Sequence, residues 1–394
     1  MFHKHGGDIY EYKNIRDFSA NINFRGMMQS VCDAASEAVA RSVHYPDPEY
    51  RSLRNALAQR ENALLGKKDY GVDERSGTTQ DMENGKFDLK ERAGKLSGTR
   101  IGPQHIICGN GAAELMFALA AARRPKQALL AAPSFFEYEQ ALTAFGCGIR
   151  RFYMKAEEDF ALGEEFLDAV EEKNDIIILG SPNNPTGRLL ESGFLLKLLK
   201  LCREHRILLV LDESFFDFLC EADQAKTFSG AGEILENPNL FVIKSFTKMY
   251  AMPGLRFGYG LCGDEALLQA MRQMMQPWNV SVPAQAAAEA ASGELDFARE
   301  TARLTAAGRE DMKLRMEQLG YQVFSSDTNF LLFAGPENLK EFCLRRGVLI
   351  RDCSNFPGLE KGFFRICIRS EEENHALLGI LEAALKEVKQ EWRK

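Results

Sequence analysis

The sequence predicts an α/β fold: a large domain on a mostly parallel seven-stranded sheet, joined to a smaller α+β domain. Three observations carry this. Between Ile106 and Leu261, apolar runs bounded by Gly, Pro, Asn and Asp alternate with helical stretches, the rhythm of a parallel sheet covered by helices on both faces. A length of 394 residues exceeds what one small core holds, so a large domain of roughly 200–250 residues plus a smaller one is the natural division. Past Pro283 the pattern changes, first to a long helical stretch and then to alternating strand-like segments.

In chain order, the expected strands of the large sheet are ICGN, QALLAAP, IRRFYM, DIIILGSP, ILLVLDES, LFVIKSF and RFGYGL. Their near-continuous apolar character marks strands buried on both faces, with ligands expected at their C-terminal ends. The Ala-, Glu- and Arg-rich stretch through Gln318 is expected to form a helix bridging the two domains. YQVFSSDTNFLLF, GVLIRDC and FFRICIR then read as strands of the small domain, closed by a helix from Glu371 to Trp392. The first 40 or so residues are expected to join that unit. The expected division is thus 41–285 for the large domain and 1–40 with 286–394 for the small one. Residues 66–102, rich in Gly, Lys, Asp and Glu, read as a polar surface insertion, either a functional lid or a solvated insert.

Composition narrows the function. A hydrophobic content of 45%, a charged content of 27% and a net charge of −7 fit a globular protein, and no basic tract points to nucleic acid. No apolar run approaches the ~20 residues that span a bilayer, and MFHKHGGDIYEYK has no apolar signal core; a cytoplasmic location without a membrane partner is expected. Nine cysteines without CxxC or Cys/His spacing fit reduced thiols and no metal site.

The chemistry gathers at strand ends. Ser245-Phe246-Thr247-Lys248 follows the run Leu240–Ile243, and Arg256 lies eight residues beyond the lysine. A lysine amine can condense with an aldehyde, while Ser245, Thr247 and Arg256 can hold a phosphate, which together describe pyridoxal phosphate (PLP). The spacing alone also fits a solvated loop. Asp212 ends ILLVLD, where a carboxylate needs a cationic partner such as a protonated pyridinium nitrogen, or else caps the next helix. In SPNNPTG, Asn184 offers an amide to a phenolic oxygen, although Asn, Pro and Gly also favour plain turns. Asn110, Gly111 and Ala112 in GNGAAE place backbone N–H groups at a helix start suited to phosphate, a signal weak in isolation. In this order, the four signals are jointly far more specific than any one.

With these motifs the chain resembles the class I/II aminotransferase family of fold-type I PLP-dependent enzymes, over nearly its whole length. The resemblance implies that Lys248 bonds the cofactor, Asp212 pairs with its ring nitrogen and Asn184 with its phenolic oxygen. It also implies that Ser245, Thr247, Arg256 and the Asn110–Ala112 turn bind the phosphate. Tyr45, in HYPDPEY, matches a tyrosine that reaches the phosphate in the neighbouring subunit, so a homodimer is implied; read by itself it is an ordinary turn aromatic. Within the family, HGGDIYEY, DFSANIN and VLIRDCSNFPGLEKGFFRICIRS most resemble the branch that decarboxylates threonine phosphate for cobalamin synthesis. Members that transaminate histidinol phosphate are close relatives. By that resemblance, His5, Gly6 and Arg351 would hold a substrate phosphate, Asn21 and Asn184 would contact the substrate, and Arg365 would take its α-carboxylate. Taken alone, Arg351 and Arg365 fit pairing with surface carboxylates equally well. Phe215 stands where the aminotransferases commonly carry a tyrosine, which favours the decarboxylases. The implied activity is loss of CO2 from threonine phosphate, with serine phosphate as a near variant and transamination as the alternative.

Overall fold

The computed structural model describes residues 5–66 and 100–391; most of the expected 66–102 insertion, and Trp392, lie outside them. A short first strand, β1 (Arg16–Asp17), precedes the large sheet. That sheet comprises β2 (Ile106–Gly109), β3 (Gln127–Ala132), β4 (Gly148–Tyr153), β5 (Ile176–Gly180), β6 (Leu208–Asp212), β7 (Leu240–Ser245) and β8 (Gly258–Cys262). Its order is β2-β8-β7-β6-β5-β3-β4, with β8 antiparallel to both neighbours and the remaining pairs parallel.

The strand sequences explain the sheet's place. Every residue of β5, β6 and β7 is buried, so these central strands are covered on both faces, as their unbroken Ile, Leu and Val runs require. β4, at the sheet's edge, is exposed or half-buried throughout and carries the adjacent pair Arg150 and Arg151 among its apolar residues. One face packs against a core containing Leu53, Leu57, Leu209 and Val242, and the other against Leu115, Leu119, Val210 and Ile243.

A second sheet has the order β12-β13-β10-β9, formed by β9 (Gln322–Val323), β10 (Phe330–Ala334), β12 (Arg351–Asp352) and β13 (Phe363–Cys367). The intervening strand, β11 (Val348–Leu349), pairs in parallel with β1 instead. Helix Glu371–Glu391 packs beside this sheet through Leu377 and Leu381.

Two placements depart from the sequence pattern. The stretch expected as one bridging helix is two, Val282–Ser292 and Leu295–Leu319, separated at Gly293. The second spans both cores, with Ala298 in the large one and Met312 and Met316 in the small one. Of the first 40 residues, Phe18 enters the small core, whereas helix Gln29–Val39 packs on Val282–Ser292 and adds Val31 and Ala35 to the large core. Among the described residues, no helix is long and apolar enough to cross a membrane.

Candidate active site

The parallel strands β5, β6 and β7 end on one side of the sheet, and the chain between β1 and helix Gln29–Val39 crosses there. Asn23 fixes that crossing: its N–H donates to the Lys248 carbonyl at 3.1 Å and its side-chain amide to the Met249 carbonyl at 2.8 Å. Between crossing and sheet lies a cavity of about 580 Å³, the size of a small-molecule site. Lys248, Asp212, Asn184, Ser245, Thr247, Arg256, Ala112, His5, Gly6, Asn21, Arg351 and Arg365 all line it. Residues more than 300 positions apart in sequence are thereby brought to one surface.

Lys248 sits in the short helix Phe246–Met249, which Ser245 caps by accepting from the Thr247 N–H. Burial, then the charges of Arg256 and Arg365, pull its amine down to about 8 from 10.5. A substantial share of it is therefore neutral and nucleophilic near neutral pH. The Ser245 and Thr247 hydroxyls lie 2.8 Å apart. Arg256 adopts φ +62, a left-handed conformation uncommon for a residue with a Cβ. Its guanidinium lies against Gly111, where a Cβ would sit 2.5 Å from Nη2; Gly111, at φ +82, leaves room for it.

The Gly-rich turn holds its groups differently from the sequence expectation. The Asn110 N–H donates to Glu114 Oε2 at 2.6 Å, and the Gly111 N–H to the Gly109 carbonyl at 2.8 Å. Neither is left for a ligand, because a helix start satisfies its donors locally where it can. Ala112 and Ala113, which open helix Ala112–Arg123, line the cavity instead. With Arg256, Ser245 and Thr247 they form a basic, hydroxyl-lined corner at a helix N-terminus, a donor set suited to a phosphate.

Asp212, at the end of β6, is 6% exposed. Its carboxylate accepts from the Tyr138 hydroxyl at 2.7 Å and from the Ser214 N–H at 2.9 Å. Oriented in this way, it suits a cationic ring nitrogen. Phe215 lines the same cavity and packs edge-on against Phe330.

The far side is built by the small sheet. Arg365 on β13 lies directly across from Arg351 on β12; they are 5% and 7% exposed, and among the described residues neither forms an ion pair. Burial holds both guanidiniums below their usual range, Arg365 at about 10, with Arg351 adding to the effect there. Like charges facing each other across a ladder oppose folding, so this pair is organised for anions. Arg365 donates to the Asn184 side-chain oxygen and, at 2.9 Å, to the Ser19 carbonyl, while its Nε has no partner. Arg351 donates to Asn355 Oδ1 at 2.9 Å. Asn21 is buried with its side-chain oxygen unpaired, although its carbonyl accepts from Asn329 at 3.2 Å. Tyr45 lies outside the cavity, 77% exposed and stacked on Trp278 at 4.4 Å.

Tyr138, Glu137 and Ser19 also line the cavity, and the sequence pattern did not assign them a site role. Tyr138 and Glu137 follow β3, a strand end to which the rule that ligands gather at strand C-termini applied equally. Ser19 carried no signal, since its role is to receive the Gly7 N–H at 2.8 Å and to present its carbonyl to Arg365. Two further basic residues near these motifs, Lys244 and Arg369, have local partners. Lys244 pairs with buried Glu61 and Glu213 at 3.1 and 3.3 Å, and Arg369 with Glu373 at 2.8 Å.

A family model described as "Aminotransferase class I and II" matches residues 13–381. The threonine-phosphate decarboxylase of Salmonella typhimurium is 31% identical over 393 residues, covering 97% of this chain and 96% of that one. Among solved structures, L-threonine-O-3-phosphate decarboxylase from Porphyromonas gingivalis superposes with a TM-score of 0.75 at 26% identity, covering 94% of this chain and 99% of that one. Histidinol-phosphate aminotransferase from Clostridium acetobutylicum gives 0.76 at 27%, covering 93% and 98%. With the fold, the cavity and the match over almost the whole chain in agreement, this protein belongs to the class I and II aminotransferase family.

Proposed function

We propose that the cavity binds PLP and that the protein decarboxylates L-threonine O-3-phosphate to (R)-1-amino-2-propanol O-2-phosphate. The residues fit the cofactor. Lys248, with an amine near 8, suits its aldehyde; Asp212, aimed by Tyr138, suits its ring nitrogen; and Asn184 suits its phenolic oxygen. Ser245, Thr247, Arg256 and the Ala112 N–H suit its phosphate. When bound, the cofactor supplies a cationic ring that takes up the electron pair left at the substrate's Cα.

The observation that carries the substrate is the Arg351–Arg365 pair, two buried cations on adjacent strands in the cavity that Lys248 also lines. A small amino acid with both a carboxylate and a phosphate presents two anions about one side chain apart, and planar guanidiniums grip both well. Arg365 would take the carboxylate and orient the bond to be broken; Arg351, His5 and Gly6 would take the phosphate; Asn21 would contact the substrate. The Cα–carboxylate bond breaks, CO2 leaves and a proton takes its place at Cα, with Lys248 Nζ placed to hold or release that proton. Full-length similarity to a threonine-phosphate decarboxylase supports this reading, and with it the part in cobalamin synthesis that the family resemblance implies. Serine phosphate differs by one methyl, worth ~1–3 kcal/mol, and is expected as a poorer substrate.

We also infer a homodimer in which Tyr45 reaches the cofactor phosphate of the other copy, which its exposure outside its own cavity supports. Incubation of the PLP-loaded protein with threonine phosphate, with and without 2-oxoglutarate, tests the activity. CO2 release independent of the oxoacid is expected. Product formation that requires the oxoacid would favour transamination of the histidinol-phosphate type.

A further inference from the structure

Glu137 is a carboxylate beside a group of cations. It is the second residue of helix Phe136–Ala144, and its side chain is 16% exposed. Burial pushes its carboxyl up to about 7, against the opposing pull of its own backbone N–H, Lys248 and Arg256, while Asp212 adds to the rise. One oxygen, Oε1, lies 3.5 Å from His5 Nε2. The other, Oε2, is buried without a hydrogen-bond partner. A negative group here repels an arriving phosphate, so its presence calls for a function that offsets this.

That function is visible in the path of the N-terminal strap. Residues His5, Gly6, Gly7, Ile9 and Tyr10 run along the cavity's rim and are tied down at two places. The first tie is Ser19: it accepts the Gly7 N–H at 2.8 Å, and Gly6 passes so close that a Cβ would lie 2.2 Å from the Ser19 carbonyl. The same carbonyl accepts from Arg365, so this tie sets strap and arginine relative to each other. The second tie is His5 itself, half-exposed at the rim, which meets Glu137 and lies edge-on to the Phe136 ring at 6.5 Å. Ser19 anchors the strap to the small-domain side of the cavity, and Glu137 anchors it to the helix that follows β3 of the large sheet, so the strap bridges the opening.

We propose that Glu137 is a positioning residue: it holds His5 and the strap behind it across the cavity mouth, tightening the grip on the substrate's phosphate without touching the bond that breaks. This rests on the reading that the substrate is a phosphorylated amino acid. Two measurements on the PLP-loaded full chain separate the two claims. Hydrogen exchange of the peptide covering residues 5–13 needs no substrate. Glu137→Gln and His5→Asn should each speed it, and unchanged exchange in both overturns the proposal. With threonine phosphate, Glu137→Gln should raise KM about three- to five-fold, the range open to a half-exposed ion pair, with kcat changed less than about two-fold, and His5→Asn, which also loses its own phosphate contact, should raise KM at least as much. The double variant should be no worse than the weaker single one. Multiplicative effects, or a loss confined to kcat, overturn the proposal. If the wild-type protein does not turn over threonine phosphate, the substrate reading fails and the exchange measurement still decides the role of Glu137.

Discussion

Replacing Arg256 by glutamine tests the electrostatics that make Lys248 reactive. Burial is the largest cause of the lysine's shift from 10.5 to about 8, and the Arg256 charge is the second. At pH ~7.5 an amine titrating near 8 has a neutral-to-charged ratio of about 10^−0.5, so roughly a quarter of it is neutral; at 10.5 the share would be about one in a thousand. Only the neutral amine attacks an aldehyde. Capture of PLP by cofactor-free protein, at saturating PLP so that a weakened phosphate contact does not limit the rate, should rise with pH, pass a midpoint near 8 and level off. Arg256→Gln should move the midpoint upward, and each half unit of movement lowers the rate at pH ~7.5 by about threefold. The assay is growth of the ~420 nm absorbance of lysine-bound cofactor from about pH 6.5 to about 10. A wild-type midpoint near 10, or a variant midpoint that stays put or falls, would show that burial and the Arg256 charge do not set the lysine's reactivity. Lys248→Ala should abolish the band.

Glu137→Gln should stabilise the protein most at high pH. A carboxyl raised from 4.5 to about 7 binds its proton more tightly in the folded chain, so its contribution is complete below about pH 4.5 and is lost as pH rises through 7. The advantage of glutamine should therefore grow between about pH 5 and about pH 8, by at most ~3 kcal/mol, less what the His5 contact contributes; equal differences in thermal unfolding at both pH values contradict it. Tyr138→Phe removes a hydrogen bond to the buried Asp212 carboxylate and should destabilise the cofactor-free protein by about 2 kcal/mol, with PLP restoring part of the loss; denaturant unfolding with and without PLP reads both, and an unchanged midpoint excludes the role given to Tyr138.

Much of this was legible in the sequence because it is written at strand ends. Lys248, Asp212 and Asn184 each follow an apolar run, and the βα rhythm places such residues at one edge of a sheet. Arg351 and Arg365 were legible as residues, but not as cross-strand partners: that depends on the β12–β13 register, which turns on how the loop between them folds. At Asn110 a Gly-rich turn advertises free N–H groups, and that Glu114, four residues on, accepts from the first of them was not legible. Ser19 was silent because its meaning lies wholly in contacts with the N-terminal strap and Arg365, and Glu137, although it follows a strand end, gave no sign of its contact with His5. The two-helix break at Gly293 was likewise hidden, since Ala-rich segments on either side carry the same helical pattern.

In the proposed reaction the carboxylate of threonine phosphate leaves while its amine and phosphate stay. Proton and phosphorus NMR of the reaction run in D2O reads all three together. The expected product is 1-amino-2-propanol O-2-phosphate, with its phosphorus retained and one deuterium on the carbon that bore the carboxylate. A 2-oxo acid phosphate, or recovery of threonine phosphate with deuterium at Cα and its carboxylate intact, would contradict it.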